Sequence, residues 1–320
     1  MSAAGPFPRR SHRSPQGEGS LMSTVRDGGS PMPPRLHHQV MVGGLRLHVA
    51  EWGSADGVPL VMLHGIRGYL QTFERIAQGL PAHWRSIAFD QRGRGESDWD
   101  PQRRYDTHTY VEDLRAVVDS LGLARFHLLG HSMGGINAIV FASRHPDRVA
   151  SLLVEDAGPG AFEHSAGAQR IQRELRDTPS GFDDWAAAVA FMRALRPTVT
   201  EEAREQRLRS MLRPRSGGGF TWRYDHAGIA ATRLEPDPAR VVDLMPHVRA
   251  LQCPTLVVRG GRSDYLQPSM AQAMCDANPR IRWTEIADAG HYIHDDQPEV
   301  FQRTLEAFLA QVAPTQGAPS

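Results

Sequence analysis

The sequence predicts a mostly parallel α/β fold, with helices flanking the sheet and a helical insertion interrupting it. Three observations carry this. Short apolar stretches alternate with amphipathic ones along most of the chain, a pattern that buries a parallel sheet between two helical layers. The alternation stops between Gly158 and about Pro246; a structureless loop of that length is improbable in a compact domain, so the segment reads as an inserted cap of short helices. The third observation is local. Gly130-His131-Ser132-Met133-Gly134-Gly135 follows the apolar Phe126-His127-Leu128-Leu129 and precedes Ile136, Ala138, Ile139, Val140 and Phe141, so a strand, a sharp turn and a helix meet with a serine at the apex.

The elements follow in order. Residues 1–36 are rich in Ser, Gly, Pro and Arg without an apolar run and read as a disordered N-terminal extension. Strands are expected near residues 40–52, 59–64, 85–90, 125–130, 149–155, 254–260 and 281–287. From Thr107 to Leu121 the helical period is clear: Tyr110, Leu114, Val117, Val118 and Leu121 share one stripe, and Glu112, Asp113, Arg115 and Asp119 lie off it. A last helix is expected over Pro298 to Val312. Residues 37–157 and 247–314 then form the core, 158–246 the cap, and 315–320 a disordered tail.

Composition narrows the function classes. The chain has 320 residues and is 40% hydrophobic, enough for one substantial core and a subdomain. Lys+Arg and Asp+Glu both number 36, so no global field favours a nucleic acid or an anionic membrane as partner. Every Lys/Arg position is arginine, which excludes lysine Schiff-base chemistry. Cys253 and Cys275 lack zinc or thioredoxin spacing. No secretory apolar segment and no stretch of about 18 apolar residues is present, so a cytoplasmic location is expected.

Other landmarks share the chain with the serine turn. His64-Gly65-Ile66-Arg67-Gly68 follows Leu60-Val61-Met62-Leu63, and Asp90-Gln91-Arg92-Gly93-Arg94-Gly95-Glu96-Ser97 follows Ser86-Ile87-Ala88-Phe89. Gly261-Arg262-Ser263-Asp264 follows Thr255-Leu256-Val257-Val258, and Ala289-Gly290-His291 follows Trp283-Thr284-Glu285-Ile286. With these in order, the chain from about Val40 to Val312 resembles the serine-nucleophile, cap-bearing members of the α/β-hydrolase family. The resemblance implies an eight-stranded sheet and places Ser132 as nucleophile, His291 as base and the backbone N–H groups of Ile66 and Met133 as an oxyanion hole. Asp264, in the turn after the strand that re-enters the sheet, is the preferred acid; Asp156, after the preceding core strand, is the alternative. His64, Arg67, His131, Trp185, Trp222 and Tyr292 are candidate pocket residues, with His64 expected to brace its own loop and Arg67 to be solvated. Phe182, Phe191, Met192 and Tyr224 are further cap candidates.

His291-x-x-His294 with Asp295 and Asp296 has metal-like spacing, but His291 is already assigned and no distant third ligand stands out, so neither a metal nor another cofactor is expected. Gly93-Arg94-Gly95 lacks the Gly-Lys-Ser/Thr of a phosphate loop and is read as shaping the floor of the entrance. The expected activity is cleavage of a small, uncharged or weakly polar acyl compound, most simply a carboxylic ester of the carboxylesterase kind. The alternatives are a carbon-carbon bond hydrolase of ring-cleavage products and a slow-turnover ligand receptor on the same fold. Against the carbon-carbon reading, His131 and Tyr292 stand where many such enzymes carry asparagine and tryptophan.

Overall fold

The computed structural model describes residues 36–161, 165–197 and 199–312. The extension and tail expected at the two ends fall almost entirely outside them. An eight-stranded sheet forms the core: β1 (Leu36–Val42), β2 (Leu45–Gly53), β3 (Val58–Leu63), β4 (Trp84–Phe89), β5 (Phe126–His131), β6 (Val149–Glu155), β10 (Thr255–Gly260) and β11 (Ile281–Ile286), in the spatial order β1-β2-β4-β3-β5-β6-β10-β11. The pairs β1–β2 and β2–β4 are antiparallel and the rest parallel.

The single strand expected over 40–52 is a hairpin. Gly43 (φ 55°) and Gly44 (φ 86°) occupy the two central turn positions between Val42 and Leu45, where positive φ at both matches the twist of the flanking strands. The strand begins at Leu36, inside the stretch expected to be extension.

Alternate side chains of the central strands feed two apolar layers. On β3, Val61 and Leu63 join one layer, which includes residues of α2 (Thr107–Ser120), α3 (Met133–Arg144), α8 (Leu244–Ala250) and α9 (Pro268–Ala277). Leu60 and Met62 join the other, with residues of α1 (Glu74–Gly79), α10 (Ile293–Asp296) and α11 (Pro298–Val312). Both faces are therefore buried, which is why these strands read as continuous apolar runs. Asp113 of α2 departs from the expected polar face. It is buried and accepts from Arg92 at 2.6 and 2.5 Å, a bidentate pair that fixes the loop after β4.

Between β6 and β10 the insertion contributes α4 (Ala166–Asp177), α5 (Trp185–Leu195), α6 (Glu201–Met211) and α7 (His226–Leu234). It also contains a three-stranded antiparallel sheet, β7 (Gly181–Phe182), β9 (Phe220–Trp222) and β8 (Leu212–Pro214), where only helices were expected. The insertion's apolar residues cluster with Ile66, Tyr69, Tyr105, Tyr110 and Met133 from the core side, so it packs over the end of the sheet where β3 and β5 finish. Leu244 and Val248 of α8 pack into the core layer, so the insertion ends before Leu244 rather than at residue 246.

The tightest packing lies where α3 leaves β5. A Cβ on Gly134 would meet the Leu63 carbonyl oxygen at 2.1 Å, and one on Gly130 would meet the Gly134 oxygen at 2.3 Å. Both obstacles are backbone, which cannot rotate away. Gly134→Ala is therefore expected to cost about 1–3 kcal/mol of stability, readable as a lowered denaturation midpoint; an unchanged midpoint would show that strand and helix are not held this closely.

Candidate active site

Ser132 is squeezed between β5 and α3 with φ 53° and ψ −119°, a conformation that L residues rarely adopt. Its N–H donates to the Glu155 carbonyl at 2.9 Å and its carbonyl accepts from the N–H of Ile136 at 3.1 Å, so neighbouring elements hold the strain in place. The next residue, Met133, opens α3, where the first N–H groups of a helix lack intrahelical acceptors.

His291 Nε2 lies 2.9 Å from Ser132 Oγ, and His291 Nδ1 lies 2.7 Å from Asp156 Oδ2. Asp156 follows β6 directly, at φ 48°, is wholly buried, and accepts from the Gly260 N–H (3.2 Å) and the Ser263 hydroxyl (2.5 Å). Of the two acid candidates read from the sequence, the structure brings the alternative, Asp156, and not the preferred Asp264, to His291. The Asp264 carboxylate accepts two hydrogen bonds from Arg170 of α4, at 2.8 and 3.0 Å, and its carbonyl accepts from the N–H of Gly167. That residue ties the insertion to the core, and the hydrogen bonds from Arg170, aided by its charge, hold its carboxyl below the usual range. The physical reason is strand order: β6 lies between β5 and β10, so the end of β6 is one strand closer to the serine turn.

Burial, reinforced by the charges of Arg170 and Arg196, drives the His291 imidazole well below its ordinary pKa and favours a neutral ring able to take a proton. Burial also pushes Asp156 up to about 7, opposed by its bonds from Ser263 and Gly260. Tyr265 packs against His291, ring centroids 4.5 Å apart.

A recess at Ser132 is lined by Ile66, Met133, Ala168, Ile171, Gln172, Arg233 and Tyr265. It shares Met133, Gln172 and Arg233 with a cavity of about 840 Å³ that runs beneath α7 towards α8, within the usual size range of small-molecule sites. The loop carrying Ile66 is braced from below. Arg94 donates to the Ile66 carbonyl at 3.0 Å, and His64, fully buried and lowered to about 4 chiefly by desolvation, accepts from the Gln91 N–H at 3.0 Å. His64 thus serves as the expected loop brace and lines none of these recesses.

The remaining pocket candidates divide. Trp185 and Trp222 belong to the insertion's aromatic core: Trp222 stacks edge-on with Phe182 (5.3 Å), Trp185 with Phe220 (5.2 Å), and Trp222 Nε1 donates to the Pro179 carbonyl at 2.6 Å. The reason is the small sheet β7-β9-β8, which draws those rings inward. His131, Arg67 and Tyr292 do line a second recess, of about 20 Å³. Arg67 is not solvated as expected; its side chain is buried and paired with Glu174 at 3.1 Å.

One functional-looking residue, Glu155, escaped the sequence reading. Glu155 accepts from the His294 N–H at 3.0 Å and from His294 Nδ1 at 2.7 Å, anchoring the short α10 that follows His291. Burial raises its carboxyl to about 7. His131, Glu155 and His294 offer ligand atoms within 4.8 Å of one another. Both Glu155 oxygens are engaged by His294 Nδ1 and His131 Nε2 donates to the His291 carbonyl at 2.9 Å, whereas His294 Nε2 is buried without a hydrogen-bond partner among the described residues. Adjacency of Glu155 to Asp156 was the available signal.

A sequence model of the alpha/beta hydrolase fold matches residues 58–298. The chain belongs to that family. Its fold resembles the crystal structure of E-2-(acetamidomethylene)succinate hydrolase (TM-score 0.77, 26% identity, covering 87% of this chain and all of that one). Among curated sequences it is similar to an sn-1-specific diacylglycerol lipase of Mus musculus, with 29% identity over 81% of this chain and 83% of the lipase. It is also similar to a 2-hydroxy-6-oxononadienedioate/2-hydroxy-6-oxononatrienedioate hydrolase of Paraburkholderia phymatum, with 26% identity over 85% of this chain and 94% of that enzyme. Among the described residues no helix is long and apolar enough to cross a membrane.

The depressed basicity of His291 is directly measurable. In a ¹⁵N-histidine spectrum the ring of residue 291 is expected to remain neutral at pH 6.5, the ordinary midpoint, and to charge only at lower pH. A ring half-charged at pH 6.5 or above would show that burial is not what sets its protonation.

Proposed function

We propose that this hydrolase-fold protein is a serine esterase of small acyl compounds, acting through Ser132, His291 and Asp156. One observation carries the reading: the chain of hydrogen bonds from Ser132 Oγ to His291 (2.9 Å) and on to Asp156 (2.7 Å), ending at a serine held in a strained turn. Serine is too weakly acidic to attack a carbonyl unaided. In the proposed reaction its Oγ attacks the acyl carbon while its proton passes to His291 Nε2. Asp156 holds the imidazole by Nδ1–H and stabilises the imidazolium that forms. The N–H groups of Met133 and Ile66, whose residues both line the recess at Ser132, receive the developing oxyanion. His291 returns the proton to the departing alcohol, leaving an acyl-serine. Water activated by the same histidine then attacks, restoring Ser132 and releasing the acid.

The similarity to a diacylglycerol lipase supports an ester as the bond cleaved. The similarity to a dienedioate hydrolase favours a second reading, in which the same residues cut a carbon-carbon bond next to a ketone.

Hydrolysis of a chain-length series of p-nitrophenyl esters separates the two. The esterase reading expects turnover that Ser132→Ala abolishes. Asp156→Asn should lower kcat by about 10⁴-fold, while Asp264→Asn should stay within about tenfold of wild type, since it only weakens a surface tie. The reverse ranking of the two aspartates would return the acid role to Asp264. No turnover of any ester, with turnover of a ring-cleavage product, would establish the second reading.

A further inference from the structure

The recess beside His291 holds more positive charge than a pocket for an uncharged acyl group needs. Arg67, Arg196 and Arg207 line it, with Thr72, His131 and Tyr292 between them. Two of the guanidiniums have carboxylate partners: Arg67 pairs with Glu174 and Arg207 with Asp295. Arg196 has none. Among the described residues no carboxylate lies within ion-pair distance of it, and its guanidinium instead rests on the face of the Tyr292 ring, 3.0 Å from the centroid.

Arg196 is half-buried, and desolvation, opposed by Tyr292 and the Glu174 carboxylate and reinforced by Arg207 and Arg67, lowers it to about 10. It nonetheless stays charged at neutral pH. Half-burying a cation among like charges is costly unless an anion completes the set. The Arg67 Nε–H is likewise buried without an acceptor. A free volume of about 20 Å³ admits one small group and not a chain, and a guanidinium fork matches a carboxylate in both shape and charge.

Position makes this relevant to catalysis. His131 directly precedes Ser132, Tyr292 directly follows His291, and the rings of His131 and His291 are 4.9 Å apart. The recess is thus lined by the immediate chain neighbours of Ser132 and His291, and it shares no lining residue with the recess at Ser132 or with the cavity beneath α7.

We propose that Arg196, with Arg67 beside it, binds a carboxylate carried by the substrate, so that the natural substrate is an anionic acyl compound such as the half-ester of a short dicarboxylic acid. The proposal rests on the serine-esterase reading and names its substrate class. Tyr292 presents the guanidinium; the substrate's other part extends from Ser132 into the larger cavity.

The test compares p-nitrophenyl hemiglutarate with the neutral p-nitrophenyl valerate, which has the same number of acyl carbons. Wild-type protein is expected to favour the anionic ester in kcat/KM by about 10- to 100-fold, the range of a charged hydrogen bond. Arg196→Gln should bring that ratio to within about threefold of one, while Arg115→Gln, on the exposed side of α2, should keep it. Glutarate should inhibit valerate hydrolysis by wild-type protein competitively, a measurement that stands if the Arg196 variant does not fold. A wild-type ratio near one, or a ratio that survives Arg196→Gln, overturns the proposal. Hydrolysis of either ester by Ser132→Ala at the wild-type rate, after subtraction of the enzyme-free rate that the hemiglutarate's own carboxylate sustains, refutes the underlying esterase reading instead.

Discussion

The structure turns on the contact between α3 and the ends of β3 and β5. There the backbone of Gly134 sits so close to Leu63 that no side chain fits between them. That approach forces the intervening residue, Ser132, into positive φ. A bulkier packing residue would relax the turn and lower the hydroxyl back into the sheet. The same closeness sets the helix N-terminus under the carbonyl the serine would attack, so strain and electrostatic preorganisation have one steric origin.

Around that turn, two carboxylates at the end of a single strand divide the work. Asp156 holds His291, and Glu155 holds His294, three residues further on. Because both anchors belong to the end of β6, the loop between the two histidines cannot shift along the sheet without breaking two buried bonds. His131 adds a third tie through the His291 carbonyl. The proposed base is thus located by its neighbours' hydrogen bonds as much as by its own.

Much of this was legible in the chain. The alternation of apolar and amphipathic stretches located seven core strands, and the serine turn and Gly290-His291 were set by local chemistry that five or six residues can display. The acid was not legible, because Asp156 and Asp264 both follow strands and only the spatial order β5-β6-β10 separates them. The hairpin at Gly43-Gly44 and the insertion's small sheet carried signals that went unread: paired glycines, and the run Ser216-Gly217-Gly218-Gly219 ahead of Phe220. The arginine recess was invisible, since Arg67, Arg196 and Arg207 are spread over 140 positions and meet only when the insertion folds back on the core.

Every one of those partly buried cations is a guanidinium. An ammonium placed where Arg196 or Arg233 lies would shed its proton readily on desolvation, and the local field would vanish near neutrality. The guanidiniums, lowered only to about 10 at both positions, do not. The charges of Arg196 and Arg233 are therefore fixed properties of the scaffold across the physiological range, and the response to acidity falls on the imidazoles and carboxylates around them.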